Sequence, residues 1–344
     1  MKPADAPDTV RDRVKAPTMG DIARLANVSK PTVSRVLSGG AGVTPSTRAR
    51  VVAVAREQGY AVNLQARKLR TARTNTVAVV LDFGSHRAGR IADPFVFELL
   101  AGVSEALSVR DQDLLLSPPT LIDPAAHLDL IRARGADGFI FLGQGDRENL
   151  FVDLSRTSVP FVVWGAADVN ARYCAVGSDN HLGGRLAGEH FLKRGAKRWL
   201  FVGVIEHIEI RRRYEGLCEA AAHGAGVEID RLTVEDMAYP STYASAAAYL
   251  ASHTPPDAVF AFSDTAAMAI IAAFRAGGHV SPRDYGLVGY NDIPPAAHFT
   301  PAITTIEQPT HLAGAILVEK LMQRIEGVRA VSAVLPTHLI LRDT

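Results

Sequence analysis

The stretch Val28-Ser29-Lys30-Pro31-Thr32-Val33-Ser34-Arg35-Val36-Leu37 decides how the N-terminal part of this chain folds. Ser29 is a helix-capping residue. Pro31 falls in the first helical turn, where the amide it lacks would have no intrahelical partner, and Val33, Val36 and Leu37 then line one face. Upstream, Thr18-Met19-Gly20-Asp21 is a capping box that opens a first helix with Ile22, Leu25 and Ala26 inward, and Asn27-Val28 makes the turn between the two. Downstream, beyond Ser38-Gly39-Gly40-Ala41-Gly42, Thr44 caps a third helix that Pro45 opens and that carries Val51, Val52, Val54 and Ala55 up to Gly59-Tyr60. Two helices joined by a turn of about three residues, the second opening with small polar and basic side chains, form a helix-turn-helix, whose second helix enters the DNA major groove. A three-helix unit that touches no DNA is the bland alternative.

Charge separates the two. The chain has 344 residues, 47% of them hydrophobic, and a formal net charge of only +1. From Ala16 to Arg73, ten lysines and arginines stand against Asp21 and Glu57, a net of +8, whereas residues 74–344 carry −8. A basic head on an acidic body is a pattern of nucleic-acid contact by one part only. Residues 1–15, rich in Pro, Asp and Arg, read as a disordered tail. No apolar leader or membrane-length apolar run occurs, which predicts a cytoplasmic protein with no membrane partner. Cys174 and Cys218 have no metal-ligand spacing and read as buried thiols.

From Asn75 onward, short apolar runs alternate with helical stretches: Val77–Leu81, Leu114–Leu116, Phe139–Leu142, Phe161–Trp164, Leu200–Val202, Val259–Phe262 and Leu287–Tyr290. Runs that are continuously apolar predict parallel sheets covered on both faces, and two doubly wound units fit the length. Ligands of such sheets lie beyond the carboxyl ends of the strands, which brings forward Asp82, Gln144, Trp164, Asp264 and Asn291.

The phrase from Val28 to Leu37, with the motifs that follow it in order, resembles the lac and gal repressor family of bacterial transcription regulators from about Thr18 to the C-terminus. The resemblance implies a helix-turn-helix domain over 16–61, a hinge over 62–74 and an effector-binding and dimerisation core over 75–344. Within the core it implies an N-subdomain of about 75–177 and 308–335 and a C-subdomain of about 178–307 and 336–344, built like a periplasmic sugar-binding protein. Lys30 and Pro31 take the places that choose operator base pairs, Arg35 takes a base-reading place one turn later, and Thr18, Ser29, Thr32 and Ser34 hold phosphates or cap helices. Lysine can donate to guanine O6 and N7, whereas proline offers only apolar contact. Tyr60 to Arg70, including Asn63 and Arg67, resembles the hinge, and Leu69 matches the leucine that opens a central base step through the minor groove. Val62 stands where the family usually has proline.

In the core, Asp93-Pro94-Phe95 resembles an asparagine-proline-phenylalanine phrase at the cleft edge, behind a Ser85–Arg90 insertion that either reshapes the pocket mouth or lengthens a loop. Val176 to Gly184 and Glu189-His190 match a phrase near the subdomain crossover and read as structural. Arg213 falls on the arginine that points into the cleft, with Arg211 and Arg212 as solvated neighbours, and a guanidinium fork suits vicinal hydroxyls or a carboxylate. Ser263 or Asp264 can touch ligand, and Asn291 replaces an aspartate that commonly receives effector hydrogen bonds; Asp292 reads as structural. Trp164 can stack on a sugar ring or be plain core, and Tyr239 and Phe97 are weaker candidates of the same kind.

These implications converge on a dimeric repressor of carbohydrate-metabolism genes that binds a pseudo-palindromic operator under the control of a sugar effector. A sugar sensor that uses its effector as corepressor, or acts as an activator, is the alternative. No leucine heptad follows the last strand, so a dimer rather than a tetramer is expected. The absence of Gly-x-Gly-x-x-Gly after the first strand, of a Walker loop, of His-Glu-x-x-His and of Gly-x-Ser-x-Gly argues against an enzyme, and no cofactor or metal is expected.

Overall fold

The computed structural model describes residues 17–37, 40–60, 73–81, 93–117, 123–145, 147–167 and 172–344. The hinge residues Asn63, Arg67 and Leu69, the strand-end Asp82 and the Ser85–Arg90 stretch lie outside the described residues. The chain divides into two units between Ala72 and Arg73.

The first unit contains α1 (Met19–Leu25), α2 (Lys30–Leu37) and α3 (Pro45–Glu57). Thr18 and Asp21 form the capping box of α1, and Thr44 caps α3 through the Thr47 amide. Asn27 takes the left-handed conformation (φ 48°) that the turn between α1 and α2 requires, a place where asparagine is among the tolerated residues. Ile22, Ala23, Ala26, Val33, Val36, Val51 and Ala55 make the small core. Two apolar assignments fail. Leu25 and Val52 are each nearly half exposed, because the inward face of α1 runs through Ile22, Ala23 and Ala26 and that of α3 through Val51 and Ala55.

The second unit is built on two six-stranded sheets. In the first, β1 (Thr76–Leu81), β2 (Asp113–Ser117), β3 (Gly138–Leu142), β4 (Phe161–Trp164), β5 (Ala175–Ser178) and β11 (Ala333–Leu335) pair in the order β11-β5-β4-β3-β1-β2, all parallel. In the second, β6 (Arg198–Val202), β7 (Glu228–Leu232), β8 (Ala258–Ala261), β9 (Gly286–Asn291), β10 (Thr305–Glu307) and β12 (His338–Ile340) pair in the order β12-β10-β9-β8-β6-β7, with only β12 antiparallel. Central strands are buried along their whole length because helices cover both faces, which is why they read as continuous apolar runs. The chain passes between the sheets after Ser178, after Glu307 and after Leu335. Cys174 is buried, but Cys218 is partly exposed, since its helix turns that position to the rim of the core.

Four helices matter for the site: α4 (Phe95–Ser108), α7 (Asn180–Lys193), α8 (Ile208–Ala222) and α10 (Asp264–Ala276), with α5 (Pro124–Arg132), α6 (Glu148–Leu154) and α9 (Tyr239–Ser252) between them. The short α11 (Pro294–His298) and the long α12 (Thr310–Ile325) complete the fold. Backbones of α7 and α8 touch. A Cβ on Gly184 would stand 1.8 Å from the Arg213 carbonyl oxygen, and one on Gly216 would stand 1.9 Å from that of His181. This approach sets Arg213 beside the start of α7. Gly184→Ala must push the helices apart, so it is expected to lower stability by about 1–3 kcal/mol, read as a lower urea midpoint at unchanged slope.

Candidate functional site

On α2, Ser29, Lys30, Pro31 and Arg35 are exposed, whereas Thr32 and Ser34 are half-buried. Ser29 accepts the Thr32 amide at 3.3 Å and meets the Thr32 hydroxyl at 2.9 Å, so both belong to the start of the helix. Thr18 is committed likewise: its hydroxyl and its amide donate to Asp21 and hold that carboxyl down at about 2. Arg48 donates to the carbonyls of Val36 (3.2 Å) and Gly40 (2.6 Å), and Arg50 to that of Ala26 (3.0 Å). These two cations close helix ends, while Lys30 and Arg35 stand exposed on the helix that the sequence assigns to the groove.

In the second unit a cleft opens where the carboxyl ends of the two sheets meet, with about 910 Å³ of empty space when the open solvent at its mouth is counted. Asp93, Phe95, Gln144, Trp164, Arg213 and Asn291 all line it. Asp264 does not. Its side chain turns away into the core, where Oδ1 accepts the Thr305 hydroxyl (2.5 Å) and Oδ2 the Ile293 amide (2.9 Å). Its neighbour Ser263 reaches the cavity and caps α10 through the Ala266 amide. Phe97 and Tyr239 are exposed and lie outside the lining.

Each lining group is held by its own partners. The Arg213 Nε donates to Asn180 Oδ1 (2.8 Å) and Nη1 to the Phe262 carbonyl (2.6 Å), and the guanidinium lies 3.5 Å from the centroid of the Tyr290 ring. Arg211 and Arg212 are exposed and pair with Glu215. Asp93 accepts the Phe95 amide at 3.0 Å and the Asn291 side-chain amide at 3.1 Å, and burial raises its carboxyl against the opposing pull of those donors and of Arg213. Asn291 ends β9 with φ 110°, a sparsely populated conformation retained because its side chain is fastened on both sides: Gln308 Nε2 donates to its Oδ1 at 2.7 Å, and Ser178 donates to Gln308 at 2.5 Å. Asp292, also at positive φ (56°), pairs with Arg342 at 2.6 Å and is structural. Trp164 packs in the core 6.0 Å from Phe95 and also lines the cavity. His207, Glu209 and Gln308 also line it without having been singled out, and so do Ser178 and Asn180 of the Val176–Gly184 phrase that the sequence reads as structural. Asn180 and Gln308 lie at sheet crossovers, Asn180 bonded to Arg213 and Gln308 to Ser178 and Asn291. Among the described residues no group of acidic, histidine and cysteine side chains is placed to hold a metal, and no helix is long and apolar enough to cross a membrane.

A helix-turn-helix unit with two exposed cations on its second helix, and a unit of two wound subdomains around a ligand-sized cleft, define a DNA-binding transcriptional regulator with a binding core. Residues 18–63 match the family described as bacterial regulatory proteins, lacI family, and residues 189–344 match the periplasmic binding protein-like domain. The HTH-type transcriptional regulator CelR of Thermobifida fusca is 34% identical over 343 residues, 97% of this chain and 99% of that protein. The chain therefore belongs to the lacI family, whose members are DNA-binding regulators rather than enzymes. Among solved structures, a CelR–cellobiose complex matches with a TM-score of 0.68 at 31% identity over 95% of this chain and 99% of that one. The lac repressor dimer bound to operator and the anti-inducer ONPF matches with a TM-score of 0.82 at 22% identity over 96% and 99%, a likeness of fold.

Proposed function

We propose that this regulator represses carbohydrate-metabolism genes and that a sugar held in the cleft sets its operator affinity. The observation that carries this reading is the composition of the cleft wall: the aromatic faces of Trp164 and Phe95 stand beside Asp93, Gln144, Arg213 and Asn291, a pairing of apolar face and hydrogen-bonding groups that matches the C–H patches and hydroxyls of a sugar. The CelR relative, solved with cellobiose, supports it.

On this reading Lys30, Pro31 and Arg35 meet base edges, and Thr18, Ser29, Thr32 and Ser34 order helix ends at the phosphates. Residues 62–74 form the hinge, where Asn63, Arg67 and the Leu69 wedge work at the centre of a pseudo-palindrome. The subdomains are those of about 75–177 with 308–335 and about 178–307 with 336–344. A second copy of the chain supplies the second head, and the edge strand β2 supports this pairing, because it carries Leu115 and Leu116 exposed at 38% and 54% on a sheet edge that would otherwise invite association.

The test is a selection of bound duplexes from random DNA at fixed salt, repeated with cellobiose and other neutral sugars. Recovery of a pseudo-palindrome whose binding one sugar changes at least tenfold is the expected result. By linkage, that sugar binds more weakly to the operator complex if it releases DNA and more tightly if it promotes binding. A recovered operator that responds to no sugar overturns the sugar part of the reading.

A further inference from the structure

The polar groups of the cleft differ in how far they are already committed, and Gln144 is committed furthest. It follows β3 and is buried at the cavity wall. Its Nε2 donates to Glu148 Oε2 at 2.8 Å and to the Tyr173 hydroxyl oxygen at 2.8 Å, and the Tyr173 hydroxyl donates in turn to the same Glu148 oxygen. Its Oε1 accepts the Ala166 amide at 3.1 Å. A primary amide has two N–H donors and two carbonyl lone pairs. Both donors of Gln144 are used, and one lone pair remains.

The orientation is fixed chemically. Turning the amide over would set its oxygen against the Glu148 carboxylate and its N–H groups against the Ala166 N–H, like against like on both sides. Room for the side chain comes from Gly165, another cavity residue, since a Cβ there would stand 2.6 Å from Gln144 Oε1 and 2.9 Å from its Cβ. Burial, reinforced by Glu148, holds the Tyr173 hydroxyl far above the usual range, so it stays a donor to Glu148. Neither Glu148 nor Tyr173 lines the cavity.

We infer that Glu148 and Tyr173 are positioning residues for ligand recognition: they lock the Gln144 amide so that the cleft ligand meets only its carbonyl oxygen. This corner of the cleft takes a hydroxyl donor and rejects a carbonyl or carboxylate oxygen, because an approaching acceptor finds no N–H to bind. The inference rests on the sugar reading and narrows it to ligands that place a free hydroxyl here.

Two measurements test it. The first needs no ligand. In the ¹⁵N spectrum of the wild-type protein the two Gln144 side-chain amide protons are expected to be well separated and slow to exchange, and in Glu148→Ala they lose that protection. Fast exchange in the wild type, or protection unchanged by Glu148→Ala, overturns the inference. The second is calorimetry with cellobiose and its monodeoxy derivatives. Glu148→Ala is expected to bind cellobiose about tenfold more weakly, the scale of one hydrogen bond, while the one derivative that lacks the hydroxyl at this corner binds variant and wild type alike. Glu148→Gln, which keeps a carbonyl acceptor for Nε2, retains most of the affinity. Glu148→Ala also takes the acceptor from the buried Gln144 amide and Tyr173 hydroxyl, so a lower melting temperature accompanies it, and the deoxy series separates the loss at this corner from a general one. An equal loss for every derivative means a structural effect and overturns the inference, as does no loss at all. If cellobiose gives no heat with the wild type, the sugar reading fails for that ligand and the amide protons still decide the positioning.

Discussion

On the proposed sugar reading, Arg213→Ala is expected to reduce the affinity of the cleft for the sugar by about tenfold to a hundredfold, the loss of one charge-assisted contact. The guanidinium is buried, and its fixed partners are the Asn180 carbonyl, the Phe262 carbonyl and the face of Tyr290. Those contacts use two of its five N–H donors, and Arg213 is the one arginine or lysine of the described lining. Truncation also strands the two carbonyls, at a cost of about 1–3 kcal/mol each if no water replaces the guanidinium. Arg213→Lys does not rescue, because an ammonium cannot reach Asn180 and Phe262 as a fork and cannot stack flat on Tyr290. Operator binding in the absence of sugar should stay near the wild-type value at fixed salt, while the sugar response is lost. Calorimetry decides the matter: unchanged sugar affinity in Arg213→Ala would take Arg213 out of the ligand's contacts.

What the sequence discloses follows the range of the interactions. Caps are local, so Thr18 with Asp21, Ser29 and Thr44 are legible from three or four consecutive residues. Strands covered on both faces are legible as apolar runs, whereas β7, an edge strand reading Glu228-Ile229-Asp230-Arg231-Leu232, has no such run, and β10, β11 and β12 are only three residues long. At the cleft, Gln144, Trp164 and Asn291 follow from the strand-end rule alone, and Asp93, Phe95 and Arg213 needed the family resemblance. The same rule advances Asp264, but position at a strand end does not fix direction: Ser263 takes the cap, and the next side chain turns inward to Thr305 and Ile293. Ser178 and Gln308 are illegible because the bond between them spans 130 positions.

Asp264 provides the second large effect, on stability rather than on ligand. Burial, ahead of the Thr305 and Ile293 donors that oppose it, pushes its carboxyl up to about 8, and the carboxylates of Asp93 and Asp292 push in the same direction. The folded-state value thus lies above the unfolded one of 3.8. Below about pH 4 both states hold the proton and this group makes stability independent of pH. Between about 4 and 8 the unfolded chain releases the proton and the folded chain keeps it, so stability falls as pH rises, by up to about 1.4 kcal/mol per unit, and levels off above 8. Asp264→Asn cannot ionise. Its carbonyl can take the Ile293 amide, and its N–H can meet the Thr305 hydroxyl oxygen, so the local bonds survive. The variant is therefore expected to gain on the wild type by about 3 kcal/mol between pH 5 and pH 7.5 in paired urea titrations. Asp264→Ala behaves differently: it leaves the Ile293 amide and the Thr305 hydroxyl unsatisfied in the core, which costs about 2–4 kcal/mol at pH 5, where the neutral wild-type side chain keeps both partners. Parallel pH profiles for wild type and Asp264→Asn would mean that the carboxyl is already ionised at pH 5, with the Thr305 and Ile293 donors outweighing burial.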